Sequence, residues 1–142
     1  MKPRLVGAAL AAALYVAAGP AIAAGKQIKV SGEVIDSWCY LTEIMYPLGT
    51  AHHQCALWCA VGGIPVGLLD DQGQVHILLQ LPEEPDNVKP AGILKLQTHK
   101  ITFEGESIER DGVKYLLVSK LVEDEGIVNQ THQEYGIQPF GE

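Results

Sequence analysis

The sequence predicts a mainly β (α+β) domain: a small five-stranded antiparallel barrel, OB-like, with one helix that carries Cys55 and Cys59. Three observations predict it. Five segments have the alternating or apolar character of strands, one segment has helical character, and glycines interrupt two of the strands. An open antiparallel sheet with one helix across it is the alternative. The length of 142 residues allows one such domain and not two.

The first 23 residues are typical of a secretory signal peptide. Lys2 and Arg4 precede an alanine-rich apolar core that is too short to span a bilayer, and an A-x-A sequence ends at Ala23. We therefore expect cleavage after Ala23 and a periplasmic or secreted protein. We expect no membrane insertion once the leader is removed.

The charge of the chain bears on its partners. The leader holds two of the 10 Lys and Arg residues and none of the 17 Asp and Glu residues, so the remaining chain is more acidic than the formal net charge of −7. An acidic surface repels phosphate backbones, because affinity for nucleic acid comes mainly from Lys and Arg. The sequence therefore argues against nucleic acid as a partner.

A single β-rich domain is predicted at 24–122, followed by a polar C-terminal tail at 123–142. Gly32 and Gly105 lie inside strand segments, where glycine is typical of a bend or bulge. A D-D-Q-G turn after Leu69 predicts a hairpin, and Arg110-Asp111-Gly112 predicts a second turn. In chain order, the elements are strand 27–36, an irregular stretch 37–49, the helix, strands 66–69 and 74–80, a surface loop 82–92, and strands 93–110 and 113–122.

The predicted helix lies between the first two strands. Thr50 offers an N-cap oxygen, residues 51–61 contain neither Pro nor Gly, and Gly62-Gly63 supplies a left-handed stop. At about 100° per residue, His52, Cys55 and Cys59 fall within roughly 60° of one another on the helix surface. The helix therefore presents one imidazole and two thiols on a single face.

Cys39, from the stretch before the helix, would complete a Cys₃His set. Such a set suits metals that prefer thiolate and imidazole, which are copper or zinc, with an iron–sulfur cluster less favoured. His53 points about 100° away from His52 and is the alternative histidine. Asp36 could orient a histidine as a neighbouring carboxylate, and Met45 could be a soft ligand for copper.

Two resemblances bear on this cluster. The C-A-L-W-C sequence at 55–59 is similar in spacing to the C-x-x-x-C of exported copper-assembly proteins and of binuclear copper sites, which implies a copper-type metal. The wider pattern resembles a group of small exported bacterial domains, and this resemblance implies export and a Cys/His site with His53 as the histidine. The matching segments are G-E-V-I-D-S-W-C-Y at 32–40, H-x-C-A-x-x-C at 53–59 and G-G-I-P-V-G-L-L at 62–69.

The sequence thus predicts an exported protein that holds a soft metal ion or metal cofactor, for binding, delivery or electron transfer, with the metal ion or a periplasmic protein as its partner. A second interpretation is an OB-like module that recognises a cell-envelope partner or saccharide, stapled by a disulfide between Cys39 and Cys55 or Cys59. A third is a thiol redox protein. Motifs of hydrolases, phosphate loops and haem attachment are missing from the sequence, so catalysis is not predicted.

Overall fold

The computed structural model describes residues 25–79 and 90–131, which form a closed five-stranded barrel with short helices at its margin. The predicted leader, most of the predicted loop at 82–92 and residues 132–142 lie outside the described residues. Among the described residues, no helix is long and apolar enough to cross a bilayer. The elements are β1 (Lys26–Asp36), α1 (Ser37–Thr42), α2 (Gly49–Val61), β2 (Val66–Asp70), β3 (Val75–Leu79), α3 (Pro90–Lys95), β4 (Lys100–Arg110) and β5 (Val113–Asp124).

The strands follow the order β1-β2-β3-β5-β4 around the barrel, and β4 pairs back onto β1. The prediction of a small mainly β barrel is confirmed, but the fully antiparallel arrangement is wrong in one pair, because β3 and β5 are parallel. The reason is topological. Strand directions cannot alternate all the way around a closed ring with an odd number of members, so five strands require at least one parallel pair.

Gly32 and Gly105 mark places where two strands approach too closely for a side chain. Gly32 pairs with Asp70 on one side and with Ile101 on the other, and a Cβ there would collide with the carbonyl oxygen of Leu69. Gly105 lies at a register shift between β4 and β5, where a Cβ would collide with the carbonyl oxygen of Leu117. Both positions are those at which the sequence predicted a bend.

Apolar side chains from four strands, together with Leu96 just after α3, fill the barrel. Because successive side chains on a strand point to opposite faces, alternate residues of each strand face inward. The fully buried members of this core are Val34, Leu68, Leu96, Ile101, Phe103, Leu116 and Val118.

Two connections differ from the sequence prediction. The stretch after β1, predicted to be irregular, begins with α1, because the Asp36 carboxylate accepts the N–H groups of Trp38 and Cys39 as an N-cap. The predicted strand at 93–110 starts only at Lys100, because Pro90 opens α3 and Thr98 has a left-handed φ of 62°. An Asp before a short apolar run was the available sign of α1.

The N-terminus of α2 is held by distant residues and not by a local cap. The prediction that Thr50 caps the helix is wrong, because the helix begins at Gly49 and Thr50 lies inside it. The N-cap residue is Leu48, which makes no side-chain capping bond. The first three helical N–H groups instead find acceptors far along the chain: Gly49 donates to Glu33 Oε1, Thr50 to the carbonyl of Asn129, and Ala51 to Thr131 Oγ1. These bonds satisfy donors that every helix leaves unpaired.

Part of the predicted tail is therefore structural. β5 continues to Asp124, and Gly126 and Glu125 bond to the backbone of Lys100 before the chain reaches α2. Thr131 is buried there and donates to the carbonyl of Leu48. The C-terminal part of the described chain fixes the start of the helix that carries Cys55 and Cys59.

Thr131→Val should lower the free energy of unfolding by about 1 kcal/mol, because it keeps the side-chain shape but removes the acceptor of the Ala51 N–H. Urea unfolding measures the difference. Thr131→Ser is the matched control, since it keeps the hydroxyl and loses only a methyl group. If the valine variant is as stable as the wild type, the hydroxyl of Thr131 does not contribute to the capping of α2.

Candidate metal site

The chemistry-bearing side chains gather beside the end of β1, where α1 and α2 meet. Asp36 ends the strand, Cys39 lies on α1, and α2 supplies His52, Cys55 and Cys59. The first turn of α1 is anchored by Asp36, and α2 follows through a connection of six residues, so both helices remain close to the strand end. Side chains from three successive elements therefore converge beside the end of β1.

Two groups of these side chains have ligand atoms close enough to hold a metal ion. In the first, the ligand atoms of Cys39, His52 and Cys55 all lie within 4.8 Å of one another. In the second, those of Asp36, Cys39 and Cys59 do. For comparison, two sulfur ligands of one tetrahedral ion lie about 3.8 Å apart at a metal–sulfur distance of about 2.3 Å. Cys39 belongs to both groups and is the central residue of the cluster.

The structure distinguishes between the two candidate histidines. His52 is 1% exposed and lies in the first group, whereas His53 is in neither group. His53 Nδ1 lies 3.0 Å from the Gln97 carbonyl oxygen and 3.0 Å from Thr98 Oγ1. The structure thus brings His52, the histidine that helical periodicity favoured, to the cysteines, and places His53, the histidine that the wider resemblance implied, against Gln97 and Thr98.

Asp36 sets the tautomer of His52. His52 Nε2 lies 3.2 Å from Asp36 Oδ2. A carboxylate only accepts hydrogen bonds, so Nε2 carries the proton and Nδ1 is left with the lone pair that a metal needs. A carboxylate that orients a metal-ligating histidine in this way is a recurrent feature of metal sites.

The electrostatics of the cluster favour neutral thiols at Cys39 and Cys59 beside a charged carboxylate at Asp36. Burial would raise the pKa of Asp36, but hydrogen bonds from Cys39, His52 and Cys59 outweigh it and the pKa lies below its ordinary value. Burial, a hydrogen bond to Asp36 and nearby negative charge raise the pKa of Cys39. The same causes raise the pKa of Cys59 to about 11. A metal ion must therefore displace thiol protons when it binds.

Cys59 should react slowly with iodoacetamide at neutral pH, because the thiolate is the reactive form and a pKa of about 11 instead of 9.0 reduces it about 100-fold. The rate should rise about tenfold per pH unit between pH 7 and pH 10. Peptide mass spectrometry resolves the three cysteines, and the urea-unfolded chain is the reference. A Cys59 rate that levels off below pH 9 would contradict the raised pKa.

The three cysteines are free thiols. The predicted disulfide between Cys39 and Cys55 or Cys59 is therefore absent from the structure, although the sulfur atoms lie near one another. A disulfide requires a bond of about 2.05 Å and a defined dihedral angle. The raised pKa values of Cys39 and Cys59 disfavour these two thiols as redox-active groups, because a redox-active cysteine needs a readily formed thiolate.

The two helices that carry the thiols, and the connection between them, also carry exposed apolar side chains. Trp38 is 54% exposed and Trp58 is 68% exposed, so the two tryptophans neither fill a core nor bury the site. Together with their neighbours they form what we call the apolar rim. The members of the apolar rim are Trp38, Leu41, Ile44, Met45, Tyr46, Trp58 and Val61.

The other histidines of the described chain form separate pairs with carboxylates. His76 Nε2 lies 3.0 Å from Asp70 Oδ2, and His99 Nδ1 lies 2.9 Å from Asp124 Oδ1. Neither belongs to a group of three metal-ligating side chains among the described residues.

Comparison with known proteins adds no relative. No protein-family model matches the chain, and neither does any curated protein or solved structure.

Proposed function

We propose that this chain is an exported, periplasmic or secreted protein that binds a soft metal ion, copper or zinc, through Cys39, Cys55 and His52, with Cys59 as a further thiol ligand. The convergence of Cys39, His52 and Cys55 within 4.8 Å carries the proposal. Thiolates supply affinity and select against hard cations such as Ca²⁺, and the imidazole completes the shell. Binding and delivery of the metal, or electron transfer, is the corresponding task.

The partner contacts of His52 support a ligand role. His52 Nε2 contacts Asp36, and the thiols of Cys39 and Cys55 lie within 4.8 Å of a ring nitrogen of His52. This arrangement provides the two shells that a metal site needs, a set of donors and a group that orients them. Asp36 is itself fixed by the N–H groups of Trp38 and Cys39.

The apolar rim supports delivery over simple storage. Contiguous exposed apolar side chains on a small protein commonly mark a surface that contacts another protein. Here they lie on the two helices that carry the thiols and on the loop between those helices. A protein docked on the apolar rim would lie next to the metal.

To test the proposal, the chain is expressed with export to a bacterial periplasm and then purified. Bound metal and free thiols are measured on the same preparation. We expect about one equivalent of copper or zinc, with the thiols reactive only after the metal is removed. Cys55→Ala with Cys59→Ala is the paired variant and should lose the metal. A wild-type chain without metal, or an unchanged metal content in the double variant, would refute the proposal.

A further inference from the structure

A thioether lies against the cluster without belonging to either group of three. The Cys55 thiol donates to Met45 Sδ at a sulfur–sulfur distance of 3.6 Å. Met45 comes from the connection between α1 and α2, just after Glu43, whose left-handed φ of 53° ends α1. Its side chain is 47% exposed, so filling of the core does not explain its position.

The sulfur–sulfur distance suits two ligands of one ion. With metal–sulfur bonds of about 2.3 Å, sulfurs 3.6 Å apart subtend an angle of about 100° at the metal, which lies close to the tetrahedral value. Cys55 is also within reach of Cys39 and His52. A metal bound by this group would therefore lie next to Met45.

The chemistry of a thioether distinguishes between soft metals. Structural and catalytic zinc sites use thiolate, imidazole and carboxylate, whereas cuprous copper also accepts the neutral, polarizable sulfur of methionine. A thioether has no proton to lose, so it adds a ligand without adding negative charge. A site of two thiolates, one imidazole and one thioether matches the preferences of Cu(I).

We propose that Met45, in place of Cys59, is the fourth ligand of the group Cys39–His52–Cys55 and makes it a Cu(I) site; this proposal rests on the proposed function and revises only its fourth ligand. On binding, each of the two thiols releases its proton to solvent and forms a copper–sulfur bond. The S–H···S bond between Cys55 and Met45 is replaced by two bonds to the same copper ion. Copper enters and remains as Cu(I), so no electron is transferred.

Met45→Leu tests selectivity, because leucine keeps an apolar side chain of similar volume and removes only the sulfur donor. Competition with a coloured Cu(I) chelator under anaerobic conditions should show Cu(I) affinity reduced by about tenfold or more. Zinc affinity, measured by competition with a zinc chelator, should change by less than about threefold, because zinc does not use the thioether. Equal losses for both metals would overturn the assignment of Met45 as a Cu(I)-selective ligand.

Selenium labelling of Met45 gives a direct readout of a bond between this residue and copper. The chain has two methionines, and Met1 lies in the predicted leader, so growth on selenomethionine leaves Met45 as the labelled residue once the leader is cleaved after Ala23. X-ray absorption at the copper edge should show a Cu–Se contribution in the full chain loaded with Cu(I). The Met45→Leu variant should show none.

The outcomes separate the two proposals. Copper bound by sulfur and nitrogen without selenium overturns the role of Met45 and leaves the proposed function intact. Binding of zinc but not Cu(I) at the same cysteines overturns the assignment to Cu(I) alone. A wild-type chain that binds neither metal refutes the proposed function and this inference with it.

Discussion

Cys39→Ser should abolish metal binding, reducing the bound metal from about one equivalent per chain to background. Cys39 is shared by both groups of described side chains that could hold an ion. Serine is nearly the same size, but its hydroxyl is a poor ligand for copper or zinc at neutral pH. Elemental analysis of the purified variant gives the metal content.

Cys59→Ser is the matched control for this variant. It leaves Cys39, His52 and Cys55 in place, so we expect it to retain metal, with weaker binding if Cys59 contributes. Because Cys39 is buried, far-UV circular dichroism and thermal unfolding must show that the Cys39→Ser variant is folded. A folded Cys39→Ser chain with the metal content of the wild type would place the metal elsewhere.

Asp36→Asn should lower metal affinity by about 10- to 100-fold while the fold persists. The asparagine oxygen can still accept the N–H groups of Trp38 and Cys39, so α1 keeps its cap. The amide NH₂ that replaces Oδ2 would donate to His52 Nε2, which requires the other tautomer. Nδ1 would then carry the proton and could not bind the metal. Nitrogen-15 NMR of the imidazole reports the tautomer, and chelator competition reports the affinity.

Comparison of Asp36→Ala with Asp36→Asn separates the effect of Asp36 on the orientation of His52 from its effect on the stability of the fold. It removes every acceptor at this position and leaves the buried His52 N–H and the first N–H groups of α1 without a partner. We expect the free energy of unfolding to fall by about 2–4 kcal/mol in the alanine variant and by less than about 1 kcal/mol in the asparagine variant. If the asparagine variant binds metal as tightly as the wild type, Asp36 does not set the ligand tautomer.

The stability of the metal-free protein at acid pH gives an independent readout of Asp36. Because the folded-state pKa of Asp36 lies below its ordinary value of 3.8, the ionised group stabilises the folded chain above about pH 4. That contribution is lost as the pH falls through the lower, folded-state pKa. Asp36→Asn removes the titrating group, so the decrease in stability below pH 4 should be smaller than in the wild type.

Several features follow from local sequence patterns. The alternation in β1, the turn signals of the β2–β3 and β4–β5 connections, and the interior glycines Gly32 and Gly105 are all readable from the sequence. The spacing of His52, Cys55 and Cys59 likewise predicted a shared helix face, because the period of an α-helix is fixed. Such features depend on residues a few positions apart, and backbone geometry alone determines them.

Long-range contacts decided the rest. Closure of five strands into a ring imposed the parallel pairing of β3 with β5. Glu33, Asn129 and Thr131 took over the capping of α2 from more than 15 positions away, and so overrode the local signal at Thr50. No local pattern encodes these bonds, because partners distant in sequence meet only when the barrel closes.

The candidate metal site likewise depends partly on local sequence and partly on tertiary contacts. The sequence by itself determined that three thiols and a histidine would occur near one another, since they lie close together in the chain and two of the thiols share a helix face with His52. Only the tertiary structure placed Cys39 at the centre, turned His53 toward Gln97, and brought Asp36 against His52 and Met45 against Cys55. Helix periodicity fixes directions within one element, whereas the positions of separate elements are fixed by packing and capping contacts across the fold.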